Sequence, residues 1–158
     1  MTITHPVSQE DFERYYDLRW RLLREPWKQP RGSEKDDLEE RALHIMICND
    51  DRIPVAVGRA HFNSTTEAQI RFIAVDPHFQ KSGLGSVILK RLEDDVRKLG
   101  AECVILNSRD TAVPFYEKHG YKVVSRSYTL FESIPHFLMR KDFYSEKKLK
   151  IVESDLNS

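Results

Sequence analysis

The chain is poor in cysteine, has no excess charge of either sign and lacks long apolar runs. Its 158 residues include two cysteines, Cys48 and Cys103, each inside an apolar stretch. Two thiols make neither a disulfide framework nor a structural zinc set, so they read as buried thiols of a reducing cytosol, and no metal is expected. Lys plus Arg and Asp plus Glu both number 25, giving a formal net charge of zero. That balance excludes a general nucleic-acid binder, whose affinity rests on excess positive charge, but not a local basic pocket. No apolar run approaches the roughly 18–20 residues needed to cross a bilayer. Met1 to Pro6 lacks a basic region followed by an apolar core. The sequence therefore reads as soluble and cytoplasmic, with no membrane partner. Repeats and low-complexity stretches are absent as well.

What is present fits one domain. A mass of 18.6 kDa, with 40% hydrophobic and 32% charged residues, can bury a real core under a solvated surface. The expected division is a domain over residues 1–143 and a polar tail over 144–158. Ser8 and Asp11 resemble a capping box, followed by Phe12, Tyr15, Tyr16, Leu22 and Leu23 at helical spacing with Arg19, Arg21 and Arg24 interleaved. Pro26 and Pro30-Arg31-Gly32 end that helix. Ser33 is placed to cap a second short helix whose first turns hold Glu34, Asp36 and Asp37 as a solvated acidic start.

Leu43–Cys48 and Ile53–Phe62 around Asn49-Asp50-Asp51-Arg52 read as an antiparallel hairpin. Ala68–Val75 reads as a central strand, with Ile70, Phe72 and Ala74 on one face and Ile73 and Val75 on the other. From Gly83 the period becomes helical. Leu84, Val87, Ile88, Leu92, Val96 and Leu99 form the stripe, Lys90, Glu93, Asp94 and Arg97 lie outside it, and Gly100 closes the helix. Cys103–Leu106 is a buried strand, Thr111–His119 a short helix, Tyr121–Thr129 a strand, and Phe137–Met139 seeds a last one. A strand–helix–strand crossover joined to a hairpin implies a mixed sheet with helices packed on it, α/β or α+β.

The most informative stretch runs from Val75 to Ser86, where a buried strand breaks off and a loop with two close glycines opens an amphipathic helix. Backbone N–H groups in such a loop converge on an anion at the helix start, and a diphosphate is the natural guest. Lys81 adds a positive charge, and Ser82 and Ser86 offer hydroxyls. A P-loop needs four residues between its glycines, and here one separates Gly83 from Gly85. A dinucleotide fingerprint needs a third glycine where Ile88 stands.

Gln80-x-x-Gly83-x-Gly85 after a strand ending Ile73-Ala74-Val75 resembles the acyl-CoA loop of the GNAT N-acetyltransferase superfamily. The downstream run Ala112-Val113-Pro114-Phe115-Tyr116-Glu117-Lys118-His119-Gly120-Tyr121 resembles that family's tyrosine-bearing helix, and together the likeness spans roughly Leu43 to Met139. The resemblance implies a GNAT-like mixed sheet with helices on both faces, and acetyl-CoA as co-substrate. It implies a diphosphate held by the backbone of Lys81, Ser82, Gly83, Leu84, Gly85 and Ser86 beside Gln80. It further implies a pantetheine arm along Ile73 and Val75, and Tyr116 as acid for the departing thiolate, by direct attack of an amine.

Two residues depart from the family pattern. Arg109 stands where relatives carry a CoA-contacting Asn, with Asn107 as a possible substitute. Arg109 itself is open to a phosphate, an acidic acceptor or solvent. Gln69 stands where histone-acetylating relatives have a basic Glu, and it cannot take a proton. Glu67 and His61 are the remaining water-chain termini, and no base is assigned. Trp20 and Trp27 either wall the acceptor cleft or pack their loop, and a small-molecule or protein amine both fit. A homodimer is a family prior. The competing function is a CoA-binding sensor without catalysis on the same fold.

Overall fold

The computed structural model describes residues 1–143, so the polar tail expected from Tyr144 lies outside the described residues. Seven strands form one mixed sheet: β1 (Thr2–Thr4), β2 (Leu43–Cys48), β3 (Pro54–Phe62), β4 (Glu67–Val75), β5 (Cys103–Arg109), β6 (Lys122–Leu130) and β7 (Ile134–Asp142), in the order β1-β2-β3-β4-β5-β7-β6. Only β4 and β5 pair in parallel, as the single crossover requires. Helix α1 (Gln9–Leu23) covers one face, and α2 (Leu84–Lys98) and α3 (Val113–Lys118) cover the other. This is the GNAT-like sandwich that the sequence implied. No helix is long and apolar enough to cross a membrane among the described residues.

The start of α1 is locally encoded. Ser8 Oγ accepts from the Asp11 N–H at 3.0 Å, and the Asp11 carboxylate accepts from the Ser8 and Val7 N–H groups. Arg52, from the β2–β3 turn, closes on the same carboxylate at 2.7 Å and so pins the helix start to the sheet. Tyr15 and Leu18 then pack on Met46, Cys48, Val57 and Ala74.

Helix α2 buries Ile88, Leu89, Leu92 and Val96 against the opposite face. Its stripe differs from the expected one in two ways. Val87 and Leu99 are exposed, whereas Glu93 is buried because it accepts from the Tyr121 hydroxyl at 2.8 Å and pairs with Lys141 at 2.9 Å. A charged residue becomes tolerable inside when its partners come from another element. Gly58 permits this packing: a Cβ there would lie 3.0 Å from Leu92 Cδ1 and closer still to Ile88 Cγ2.

Strand β4 departs from simple alternation. Between the pairs Val57↔Ala74 and Arg59↔Arg71, β3 contributes one residue and β4 two, with Phe72 at φ 60°. The bulge reverses the faces beyond it. Ile70 therefore packs on the α2 side and Ala74 on the α1 side, not on one face as the alternation predicted. The ladder to β5 covers only Glu67↔Cys103 to Gln69↔Ile105. From Ile70 and Leu106 onward the two strands diverge, and the sheet is split.

The expected helix after Ser33 is not formed. Residues 33–34 and 37–38 are turns around an irregular Lys35-Asp36, and the helical geometry that follows is a 3₁₀ turn at Glu39–Arg41. The acidic run is likewise not a solvated face, Asp37 excepted. Glu34 is buried, and Asp36 binds Arg59 at 2.5 Å and Arg71 at 2.8 Å. Arg19 and Arg59 are fully buried, and Glu39 bridges them at 2.8 and 2.7 Å. The need of these guanidinium groups for carboxylates outweighs a local preference for helix.

Candidate active site

The split between β4 and β5 opens a cleft of about 140 Å³. Its walls come from both faces of the sheet. Tyr116 and Ala112 enter from α3 and the preceding turn, and Arg24 and Trp27 from the end of α1 and its loop. Tyr128 and His136 come from the last hairpin. The bulged stretch of β4, including Ile73, lines it too, and Val75 lies one step beyond, toward the glycine loop.

That loop has the geometry expected of an anion cradle. Gln80 Nε2 donates to the Val75 carbonyl at 3.4 Å, Lys81 has φ 65°, and Gly83 caps α2 with φ 83° and without a side-chain cap. A left-handed residue at that point favours glycine. The N–H groups of Leu84, Gly85 and Ser86 have no partner within the helix, because a first turn never does. Those of Lys81, Ser82 and Gly83 make no backbone hydrogen bond among the described residues. Ser82 Oγ donates to the Phe79 carbonyl, and Ser86 Oγ lies 2.9 Å from His119 Nε2. The backbone N–H groups make up the rest of the donor array. Lys81 is exposed, with its side chain free to reach an anion.

Tyr116 packs its ring edge-on against Phe115 at 5.0 Å and Tyr121 at 5.8 Å. Its hydroxyl makes no hydrogen bond among the described residues and faces the cleft. Burial pushes the phenol pKa up to about 12, against the smaller opposing effect of the Arg109 charge. It is thus a proton carrier at every physiological pH.

Along β5, Val104 and Leu106 pack in the α2-side core, so Asn107 and Arg109 alternate to the α1 side. Arg109 lies over the Trp27 ring at 5.7 Å, and both residues line the cleft. Asn107 is therefore at the split itself, on the face opposite the glycine loop. Trp27 walls the cleft, whereas Trp20 pins its loop through a 3.0 Å bond to the Gln29 carbonyl and the Arg31 guanidinium at 4.0 Å.

Neither water-chain terminus expected from the sequence lines the cleft. His61 is buried between Arg59 (3.1 Å) and Asn63 (3.1 Å), and Glu67 accepts from Asn63 at 3.1 Å; Gln69 accepts from the same amide. All three sit at the closed end of the β4–β5 ladder, where the strands still pair or lie beside the pairing.

A residue outside the sequence reading does line it. His136, paired with Arg109 across the β5–β7 ladder, stacks on Tyr128 at 4.7 Å. Its Nδ1 is 2.9 Å from the Ile134 carbonyl. A carbonyl only accepts, so Nδ1 carries the proton and Nε2 keeps a lone pair. Burial holds its pKa below the ordinary value, helped by Arg109 and Arg71 and opposed by the Ile134 bond and Asp110. The sequence carried no signal for it beyond a histidine after Pro135, and that segment read as the approach to a strand.

The arrangement has close relatives. The model of the acetyltransferase (GNAT) family matches residues 12–121. The uncharacterized N-acetyltransferase YjcF of Bacillus subtilis is 33% identical over 135 residues, covering 85% of this chain and 95% of that protein. Among solved structures, an acyl-CoA N-acyltransferase from Pseudomonas aeruginosa superposes with a TM-score of 0.76 at 22% identity, covering 89% of this chain and 97% of that one. An aminoglycoside 6'-N-acetyltransferase complexed with coenzyme A gives 0.74 at 17% identity, covering 92% and 99%. The split sheet, the glycine loop and the matched sequence agree, and the chain belongs to the GNAT acetyltransferase family.

Proposed function

We propose that the protein transfers an acetyl group from acetyl-CoA to a primary amine by direct attack. The observation that carries this reading is the array of backbone N–H groups from Lys81 to Ser86, joined through splayed β4 to the Tyr116 hydroxyl. The array, with Lys81 and Gln80 beside it, suits a diphosphate, since several dipoles and a helix start converge on one point. The β4 backbone past Gln69 lacks its β5 ladder, leaving Ile73 and Val75 beside an edge along which an amide-bearing arm can pair. Acetyl-CoA, when bound, supplies an acyl group already activated as a thioester. Asn107 is assigned to the acyl end, where the split brings it.

The chain's own residues then handle two protons. His136 Nε2 takes the proton from the attacking amine as the C–N bond forms. Tyr116 gives its hydroxyl proton to the sulfur as the C–S bond breaks. The two groups have pKa values displaced in opposite directions, His136 downward and Tyr116 upward, so each starts in the required form.

Calorimetric titration with acetyl-CoA tests the first half. Saturable binding is expected, abolished by Gly83→Glu, whose carboxylate would sit at the anion site with a strained left-handed backbone. No binding would overturn the assignment. Binding without thiol release from any amine would instead describe a CoA-binding sensor.

The pH profile tests the second half. His136 acts when neutral, so kcat/KM is expected to fall as pH drops through its lowered pKa, on the acid side of about 6.5. In His136→Gln that limb should vanish along with most of the turnover. A limb retained in the variant would assign the proton to another group.

A further inference from the structure

The cleft has a sign. Arg24, Arg71 and Arg109 line it, and no Asp or Glu does. Arg71 has a carboxylate of its own, Asp36 at 2.8 Å. Arg24 and Arg109 have none among the described residues. Arg24 donates Nε to the Ser33 carbonyl at 3.0 Å and Nη1 to the Leu23 carbonyl at 2.8 Å, which orients the group without neutralising it. The Arg109 guanidinium makes no hydrogen bond or ion pair among the described residues and lies over the face of Trp27. Asp110, its neighbour in sequence, is turned to the Thr111 N–H at 2.9 Å.

Two guanidinium groups without an ion-pair partner among the described residues, lining a partly buried cleft, are costly unless something negative joins them. Burial and the neighbouring Arg71 and Arg19 charges hold the Arg24 pKa below its ordinary value, against the opposing effects of Tyr128 and the more distant Glu34. The sequence also left an acidic partner for Arg109 open.

The space is small. Trp27 stacks on Phe131 at 6.0 Å and 28°, joining the α1 loop to the β6–β7 turn on the acceptor side of the split. That bridge narrows the cleft on this side, which suits a compact molecule better than a peptide lying in a groove.

We infer that the acceptor is a small primary amine carrying its own anionic group, a carboxylate or a phosphate, bound by Arg109 and Arg24. This rests on the transferase reading and names its substrate class.

The test compares amines that differ only in the anion: phenylalanine against phenylalaninamide, and O-phosphoethanolamine against ethanolamine, with spermidine as the polycation. The two pairs separate a carboxylate acceptor from a phosphate acceptor. The anionic member of at least one pair is expected to have the higher kcat/KM by about 10- to 100-fold, the scale of a charge-assisted guanidinium contact. Arg109→Gln or Arg24→Gln should bring that ratio close to one.

Preference for the non-anionic member in both pairs, or for spermidine over every small acid, would overturn the inference, as would a ratio insensitive to both substitutions. Preference for an acidic peptide over every small acid would overturn it too. Acetyl-CoA titration and direct calorimetry of the same pairs on the protein alone are run beside the assay. Loss of acetyl-CoA binding strikes the transferase reading. Absence of any preference for the anionic member, in binding as in turnover, strikes this one.

Discussion

Tyr116→Phe is expected to lower kcat by about 10²- to 10⁴-fold, the usual contribution of a positioned general acid, with acetyl-CoA affinity unchanged. The substitution is unusually clean. The hydroxyl has no hydrogen-bond partner among the described residues to be orphaned, and the ring keeps its edge contacts with Phe115 and Tyr121. A loss of turnover therefore reports chemistry and not folding. Steady-state thiol release and calorimetry on the two proteins make the comparison, and equal turnover would remove Tyr116 from the mechanism. The pH dependence has a definite sign. The protonated phenol is the active form, so its contribution is present below a pKa of about 12 and is lost only as pH rises through that value. An alkaline limb near pH 9 would have to come from another group.

Glu39→Gln is expected to destabilise the fold by about 3–5 kcal/mol, the cost of removing one partner from a buried ion pair. In a chain of this size that corresponds to a fall in Tm on the order of 10 °C. Glu39 accepts from Arg19 at 2.8 Å and from Arg59 at 2.7 Å, and its second oxygen accepts from the Tyr16 hydroxyl at 3.2 Å. Arg19 has no other carboxylate among the described residues, and both arginines already leave Nε unbonded in the interior. Neutralising Glu39 leaves Arg19 without an ion pair among the described residues and Arg59 sharing the charge of Asp36 with Arg71.

Thermal unfolding of wild type and variant gives the number, and a change below about 1 kcal/mol would mean the cluster relaxes or hydrates easily. Acid should act in the same direction. Burial disfavours the charged form of Asp36, but hydrogen bonds from Arg59 and the Leu38 N–H, with the Arg59 and Arg71 charges, outweigh it. Its carboxyl is thus held well below the ordinary range. Its contribution is present above about pH 4 and is lost as pH falls through the depressed value.

This cluster also reaches the cleft. Phe72, carried outward by the β4 bulge, has the guanidinium carbons of Arg19 at 4.3 Å, Arg71 at 4.4 Å and Arg59 at 4.9 Å over its ring. Phe72 and Arg71 line the cleft. The charge pattern of the cleft is therefore built on the buried network, and a loosened network should loosen acceptor recognition.

Most of the element order and the glycine loop were legible in the sequence because each depends on local rules, although β1 was not expected and the helix after Ser33 does not form, and acetyl-CoA and the role of Tyr116 came from the family resemblance. A capping box at Ser8 and Asp11, a strand-to-helix break at Gly83 and an aromatic pair before Gly120 act within a few residues of themselves. What tertiary structure decided is how charges are sorted. Arg19, Arg24, Glu34 and Asp36 look like one mixed surface when read in line. In the fold, Arg19 is paired inside with Glu39 and Asp36 with Arg59, Glu34 is folded under, and Arg24 is left facing the cleft. The same holds for Glu93, buried by partners 28 and 48 residues away, and for His136, brought opposite Arg109 by a ladder between distant strands. A carboxylate or a guanidinium carries no mark of its partner in its own neighbourhood. Long-range pairing sets the cost of burying it, and the bulge and split of β4 determine which pairs can meet.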